Sequence, residues 1–239
     1  MSKIVKRGYV VTDQKDFGHK AIDKLHNAGE DLYYLLNHGY NIKGASVFVG
    51  NHYLLSERQR LALVRAVSSS NSIETRKNKE IKDNLEGNTV NIDGFNTIIT
   101  LEVALSDSLL LKCMDGTIRD LAGLRGTYRV IDKTQSAIIL IGKMLEKNKI
   151  GKAKFYLDAP VSNSGKLKEK ILELLSEFNF DVQVENINNV DSTLEKLDNV
   201  ITSDAIILDK CKSWINLNKQ IIEDSNCNYS YIDFSRLNV

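Results

Sequence analysis

Proline, aromatic residues and cysteine are scarce in this sequence of 239 residues, and each scarcity excludes a class of protein. A single proline and an aromatic content of 7% argue against a disordered linker protein and against an all-β sandwich. The three cysteines, Cys113, Cys211 and Cys227, are odd in number and far apart, so they predict neither a zinc site nor a disulfide framework. We therefore expect a reducing, cytoplasmic location.

The sequence also lacks a long hydrophobic run. Its most apolar stretch, residues 136–145, is far too short to cross a bilayer. The first seven residues lack the apolar core of a secretory signal. We expect a protein that does not bind membranes, and we leave open whether it forms a homo-oligomer.

Charge is present in ordinary amounts but is unevenly distributed. Residues 1–82 contain 14 Lys and Arg against 8 Asp and Glu, a formal charge of +6. Residues 83–239 contain 18 against 23, a formal charge of −5. A basic small region joined to an acidic larger one suggests that one part holds an anion and the other a cation, although chance variation in surface charge gives the same pattern.

The apolar periodicity divides the chain into three parts. Residues 13–70 show helical spacing, and Ser56 with Gln59 forms a capping box that opens one helix. The serine-rich residues 68–72 predict a hinge. We predict a small helical domain over residues 1–70, which would bind nucleic acid, a basic connector over residues 71–87 and a larger domain over residues 88–239.

In the larger part, short apolar runs alternate with helical segments. This alternation predicts an α/β fold with a mainly parallel sheet, helices on both faces and a three-layer, Rossmann-like arrangement, preceded by the small all-α domain. In such sheets ligands bind beyond the carboxyl ends of the strands.

Aspartate follows four of the apolar runs at that same relative place. Asp93, Asp115, Asp158 and Asp204 each come directly after a predicted strand or within three residues of it. Aspartate is also a common helix cap, so any one of them has a structural explanation. Several carboxylates brought together would repel one another, and a hard, oxygen-preferring cation such as Mg²⁺ or Mn²⁺ would relieve that repulsion. The sequence therefore predicts a divalent-metal site that supports attack by water on a phosphodiester.

Two short motifs resemble those of known nucleases. Asp93-Gly94-Phe95-Asn96 resembles the D-G-x-N that opens NYN domains, a branch of the PIN-like nucleases, and Thr202-Ser203-Asp204 resembles the T-S-D near the last metal strand of that superfamily. Over residues 32–210 the chain also resembles an uncharacterised, largely archaeal family in which a small helical domain precedes a PIN-like one. Residues that carry this likeness are Gly39-Tyr40, Gly50-Asn51-His52-Tyr53, Arg58-Gln59-Arg60, Asp115-Gly116, Arg119-Asp120, Gly126-Thr127-Tyr128 and the segment 158–162.

The resemblance implies roles for particular residues. Asp93, Asp158 and Asp204 would be the catalytic metal ligands, and Asn96, Ser203 and Ser162 would support them. Asp115 and Asp120 have no counterpart in ordinary PIN domains, so they either complete the metal site or cap turns.

Arginines and tyrosines are the candidates for nucleic-acid binding. We expect phosphate contacts from Arg58, Arg60, Arg65, Arg119 and Arg125. Tyr33, Tyr34, Tyr40 and Tyr53 are candidates for stacking on unpaired bases, with burial in a helical core as the alternative.

The resulting hypothesis is a ribonuclease that uses Mg²⁺ or Mn²⁺ and acts on single-stranded or structured RNA. The alternative is a catalytically inactive RNA-binding or adaptor protein on a PIN-like scaffold, and a weaker one is a small-molecule phosphohydrolase. Asp115-Gly116-Thr117 is similar to the haloacid-dehalogenase signature, but Cys113 stands where that chemistry needs an aspartate nucleophile.

Overall fold

The computed structural model describes residues 5–124, 126–225 and 229–237. Arg125 and Cys227 lie outside these ranges. The helices are α1 Asp13–Asp16, α2 His19–Asn37, α3 Ile42–His52, α4 Glu57–Ala66, α5 Ser70–Lys79, α6 Gly94–Leu105, α7 Asp132–Lys147, α8 Ser164–Leu175, α9 Val190–Leu194, α10 Ala205–Lys210 and α11 Leu217–Asp224. The strands are β1 Thr89–Asp93, β2 Leu110–Lys112, β3 Ile118–Asp120, β4 Lys152–Asp158, β5 Asp181–Ile187, β6 Val200–Ile201 and β7 Tyr231–Asp233.

The amino-terminal part is helical, as the periodicity predicts. The predicted capping box is confirmed, since the Ser56 side chain accepts from the Gln59 amide and the Gln59 side chain accepts from the Ser56 amide. The serine-rich segment differs from the prediction: Ser69 caps α5, so residues 70–79 form a helix and only the later part of the predicted connector is irregular. The sequence does not predict this helix, because α5 is mostly polar and basic and has too few large hydrophobic residues to show an apolar periodicity.

The larger part contains a four-stranded parallel sheet in the order β5-β4-β1-β6. Alternate side chains of these strands enter two different cores. Ile92 and Phe155 pack toward α6, α7 and α8, whereas Tyr156 and Val200 pack toward α9 and α10. The predicted arrangement of a parallel sheet between two helical layers is therefore confirmed.

A second, three-stranded sheet in the order β3-β2-β7 corrects part of the sequence prediction. The apolar run Leu109–Met114 is not a strand of the main sheet; it forms β2, which turns back into antiparallel β3. Asp115 lies in the turn between them, so it does not stand at the carboxyl edge of the main sheet. Periodicity identifies a strand but cannot assign it to one of two sheets.

The helical part does not enclose a hydrophobic core of its own. Leu25, Leu32 and Leu63 share one buried cluster with Leu111 and Phe234 of the second sheet region. The two parts that the sequence predicts as separate domains therefore meet across a common core. No helix within residues 5–124, 126–225 and 229–237 is both long and apolar enough to cross a membrane.

Candidate active site

The carboxyl ends of the adjacent strands β4, β1 and β6 lie beside one cavity of about 660 Å³. Asp93 ends β1, Asp158 ends β4 and Asp204 follows β6, and all three line this cavity. The rule that parallel strands present their carboxyl ends at one edge accounts for their convergence.

The alternation of side chains along the strands directs Asp93 and Asp158 to the same face of the sheet. The Asp93 side chain points to the same face as that of Asn91, and the Asp158 side chain to the same face as that of Tyr156, because the members of each pair are two residues apart on one strand. Asn91 and Tyr156 meet directly, because the Tyr156 hydroxyl donates to Asn91 Oδ1 at 3.3 Å. The two aspartates therefore leave the sheet on the side covered by α9 and α10.

Asp93 is buried and has only neutral hydrogen-bond donors. The Thr202 hydroxyl donates to Asp93 Oδ2 at 2.9 Å, and the Asn96 amide donates to Oδ1 at 3.3 Å, which makes Asp93 the N-cap of α6. Burial raises the pKa of Asp93 to about 7, and the negative charges of Asp204 and Asp191 act in the same direction. A buried carboxylate next to other carboxylates favours any cation that reaches it.

Asn96 and Ser203, which the resemblance predicts to be supporting residues, contact each other at this edge. Asn96 Oδ1 accepts from the Ser203 amide at 2.8 Å and from the Ser203 hydroxyl at 2.9 Å. The side chain of Asn96 thus ties the start of α6 to the segment after β6. Ser162 has a different place: it is exposed, and its backbone pairs with the loop at residues 126–128.

Asp191 is a residue of this acidic edge that the sequence analysis missed. The charges of Asp204 and Asp158, together with burial as the largest cause, raise the pKa of Asp191. The Val190 amide, at the start of α9, donates to the Asp158 carboxylate, whose pKa is raised by burial. The strand before it was predicted to end at Val184 but ends at Ile187, and Asp191 lies four residues further on, in the first turn of α9, so the strand-end rule does not reach it.

Asp204 is held between a helix start and a buried arginine. Its carboxylate accepts from the Ile206 amide at 2.8 Å and the Ile207 amide at 3.2 Å, and so caps α10. Arg119 Nε donates to the neighbouring Ser203 carbonyl at 2.6 Å. This contact fixes the backbone from which Asp204 projects.

The donor chemistry of this edge suits Mg²⁺ or Mn²⁺, because carboxylate and hydroxyl oxygens are the ligands those ions prefer. However, in the described part of the chain no three His, Cys, Asp or Glu side chains are arranged to hold a metal ion. Mg²⁺ commonly binds through one or two carboxylates and keeps several waters. The residues therefore fit an ion held partly through water, and they do not form a complete set of protein ligands.

Asp115 and Asp120 are engaged elsewhere. Asp115 accepts from Arg76 at 2.6 Å and from Arg119, and these two guanidinium groups hold its pKa down at about 2. Asp120 lines the cavity but accepts from the Thr100 hydroxyl and the Ala122 amide, both at 2.7 Å. Both carboxylates already have partners within the fold, although burial raises the pKa of Asp120, and we leave them out of the proposed ligand set.

Two of the arginines predicted to bind nucleic acid use their donors within the fold. Arg58 forms a two-pronged pair with Asp13 and also donates to the Gly8 and Leu121 carbonyls. Arg60 donates to the carbonyls of Leu55, Gly50 and Val47.

Arg65 and Arg119 do line the cavity, but they face backbone carbonyls. Arg65 donates to the Asp120 and Ala122 carbonyls. Each of the three guanidinium nitrogens of Arg119 donates one hydrogen bond, to the Ser203 carbonyl, the Arg65 carbonyl and Asp115. Arg125, the fifth predicted arginine, lies outside the described residues.

Two parts of the chain match families of unknown function. Residues 82–220 match the family described as "Domain of unknown function (DUF5616)", and residues 24–79 match "Protein of unknown function (DUF434)". The protein printed as "Uncharacterized protein MJ0935", from the archaeon Methanocaldococcus jannaschii, is 38% identical over 186 residues, which cover 77% of this chain and 88% of that protein.

The chain belongs to the DUF5616 family. The boundary between the two matches falls just after α5, between residues 79 and 82. No solved structure matches the chain. The predicted membership of an uncharacterised family with archaeal members is confirmed, and the PIN-like or NYN-like assignment stays a prediction.

Proposed function

We propose that this chain is a divalent-metal-dependent hydrolase that cleaves phosphodiester bonds in RNA. The observation that carries the proposal is the meeting of Asp93, Asp158 and Asp204 around one cavity, at the carboxyl ends of three adjacent parallel strands. Asp93 is buried, and the charges of Asp204 and Asp191 both raise its pKa. Such an arrangement destabilises the fold, which favours a functional explanation.

Each residue of the edge has a definable task in this proposal. Asp93, Asp158 and Asp204 would hold Mg²⁺ or Mn²⁺, directly or through water, and Asp191 would add negative charge beside them. Thr202 and Asn96 orient Asp93, while Arg119 and Asn96 fix the Ser203 backbone next to Asp204. A bound divalent ion would supply charge neutralisation at the phosphate and would lower the pKa of the attacking water.

The resemblance to PIN-like nucleases supports the same residues. Asp93-Gly94-Phe95-Asn96 closes β1 and opens α6, and Thr202-Ser203-Asp204 follows β6 and opens α10. Each motif thus lies at a junction from a strand to a helix on the acidic edge. Gly94 is required there, because a β-carbon would lie 2.5 Å from the Leu157 side chain and 3.1 Å from the Tyr156 carbonyl.

The test is Mn²⁺-dependent cleavage of labelled single-stranded RNA by four proteins. We expect wild type and the control Asp224→Asn, whose carboxylate is on the surface in a pair with Lys147, to cleave equally. Asp93→Asn and Asp204→Asn should lose at least about a hundredfold in rate, while asparagine preserves both helix caps. Equal cleavage by all four proteins, or none with any divalent metal, would remove the enzymatic claim.

The second candidate is a non-catalytic RNA-binding protein on the same scaffold. It is favoured by the lack, among the described residues, of a group of three side chains arranged for a metal. It predicts RNA binding without turnover and no protection of the fold by Mn²⁺. Binding by wild type with no cleavage under any metal would select it.

A further inference from the structure

The cavity at the acidic edge has a second wall that comes from the helical part of the chain. Leu36, Tyr40, Ile42 and Val64 belong to this wall, and Ile206, just after Asp204, extends it from the other side. Tyr40 is 61% exposed and Ile206 is 59% exposed, although both are large and apolar. The cavity therefore joins an apolar surface to the row of carboxylates.

Free positive charge is scarce in this cavity. The cations that line it within the described residues are Arg65, Arg76 and Arg119. Arg76 is 3% exposed and is paired with Asp115 and Asp209, and the donors of Arg65 and Arg119 are directed to carbonyls and to Asp115 or Asp120. Arg76 and Arg119 are therefore engaged within the fold, and Arg65 is the cavity arginine that keeps an exposed part of its side chain.

The apolar wall from the helical part suits the flat face of a nucleobase. Every base has a flat π-face that stacks on aromatic and apolar side chains, and that face is accessible only when the base is unpaired. A cavity of about 660 Å³ is in the range of sites that enclose a small ligand, so it takes a nucleotide and not a duplex. A phosphodiester at the carboxylates places its adjoining base within reach of this wall.

We infer that the helical part forms a binding site for one unpaired nucleobase, with Tyr40 and Ile206 at its mouth. This inference rests on the proposed function for the position of the phosphate, but the base site is a separate claim with its own readout. It gives the helical part a defined task, which is to supply base contacts at the cavity. The broad basic surface that the charge distribution had suggested is not needed for this task.

Tyr34 offers a matched control for Tyr40. It is also 61% exposed and lies on the same part of the chain, but it does not line the cavity, and its ring stacks on His38 with centroids 4.1 Å apart. A loss of general surface hydrophobicity would affect both tyrosines equally. A base site would distinguish them.

The experiment measures fluorescence anisotropy with a labelled single-stranded pentanucleotide, with EDTA and separately with Mn²⁺. We expect Tyr40→Ala to lower the affinity roughly tenfold relative to wild type, Tyr34→Ala to leave it unchanged and Tyr40→Phe to retain it. Ile206→Ser should also weaken binding, which provides a second test if Tyr40→Ala does not fold. A pentanucleotide without bases should show no difference between the two alanine variants, and a duplex should bind about tenfold more weakly.

Salt dependence gives an independent readout. Each phosphate neutralised by Lys or Arg contributes about 0.7 to the slope of log affinity against log salt for single strands. Because Arg76 and Arg119 are engaged within the fold, we expect a slope smaller in magnitude than about 1 for the pentanucleotide. A steep slope would assign the binding to surface cations.

The outcomes separate this inference from the proposed function. Three results would overturn the base site: equal losses in Tyr40→Ala and Tyr34→Ala, a Tyr40→Ala loss that is as large with the base-free oligonucleotide as with the full one, or no binding up to about 1 mM. Selective loss in Tyr40→Ala without any Mn²⁺-dependent cleavage would leave the base site standing and reject the hydrolase. Cleavage together with RNA binding that Tyr40→Ala leaves unchanged would reject the base site and leave the hydrolase standing.

Discussion

Asp93 and Asp115 are both buried aspartates, yet their surroundings have opposite effects on their carboxylates. Asp115 lies between Arg76 and Arg119, and its pKa is lowered to about 2. Asp93 lies beside Asp204 and Asp191, and its pKa is raised to about 7. The ion pairs of Asp115 therefore raise the free energy of unfolding, whereas the buried carboxylate of Asp93 lowers it.

The Asp115 cluster connects elements that the sequence places far apart. Arg76 of α5 binds both Asp115 and Asp209, and Arg119 of β3 reaches the backbone of Ser203. The cluster thus ties the helical part to the segment that carries Asp204. Neutralising Asp115 should therefore lower the free energy of unfolding, and neutralising Asp93 should raise it.

The largest expected effect is the loss of stability on neutralising Asp115. Asp115→Asn leaves the buried Arg119 without its carboxylate partner, and breaking a buried pair costs about 3–5 kcal/mol in the free energy of unfolding. Urea denaturation at pH 7 measures this cost. The exposed pair of Lys147 with Asp224 provides the control, because Asp224→Asn should cost less than about 1 kcal/mol.

The pH dependence of the Asp115 contribution has a definite sign. Since its pKa is lower in the folded state than the ordinary 3.8, the stabilisation is present above pH 3.8 and is lost as pH falls toward 2. The difference in stability between wild type and Asp115→Asn should therefore narrow by about 2 kcal/mol at very low pH. A gap that stays constant down to pH 2 would contradict the ion-pair explanation.

The next effect is stabilisation by Mn²⁺, which tests the acidic edge. An ion that binds only the folded protein adds about 2.7 kcal/mol when its free concentration is a hundred times Kd. We expect a metal-dependent rise in Tm for wild type, smaller at pH 5.5 than at pH 8 because the proton on Asp93 competes with the ion. Asp93→Asn should lose most of this rise, and Asp115→Asn should retain it.

The smallest effect is a gain in stability on neutralising Asp93. The folded state binds the Asp93 proton more tightly than the unfolded state, so wild-type stability falls as pH rises from 3.8 to about 7. Asparagine cannot ionise and still caps α6, so Asp93→Asn should be more stable than wild type at pH 8 without metal. The gain should vanish near pH 4, and a loss of stability at pH 8 would show that the carboxylate stabilises the fold.

Much of the acidic edge could be predicted from the sequence. Asp93, Asp158 and Asp204 each follow an apolar run, and the parallel arrangement of β4, β1 and β6 brings them to one cavity. Such a prediction succeeds because strand direction alone fixes which end of each strand lies at that edge. Asp191 was not predicted because it lies four residues beyond the end of β5, inside α9, and not at the strand end itself.

The roles of the arginines could not be predicted in the same way. In the sequence, Arg58, Arg60 and Arg119 look like cations available for phosphate. In the structure their partners are carbonyls and carboxylates, and some of these are distant in sequence, as Ser203 is from Arg119. Asp115 was placed at the edge for a related reason, since the run before it reads as a strand whichever sheet it joins.

By itself, the sequence determined the helices, the parallel sheet and the acids at its carboxyl ends, because each depends on local periodicity and on chain direction. Only the tertiary structure decided which charges are compensated and that the helical part forms a wall of the same cavity. Burial and pairing depend on residues that are distant in the chain. These distant residues change the pKa of a charged group more strongly than its neighbours in sequence do.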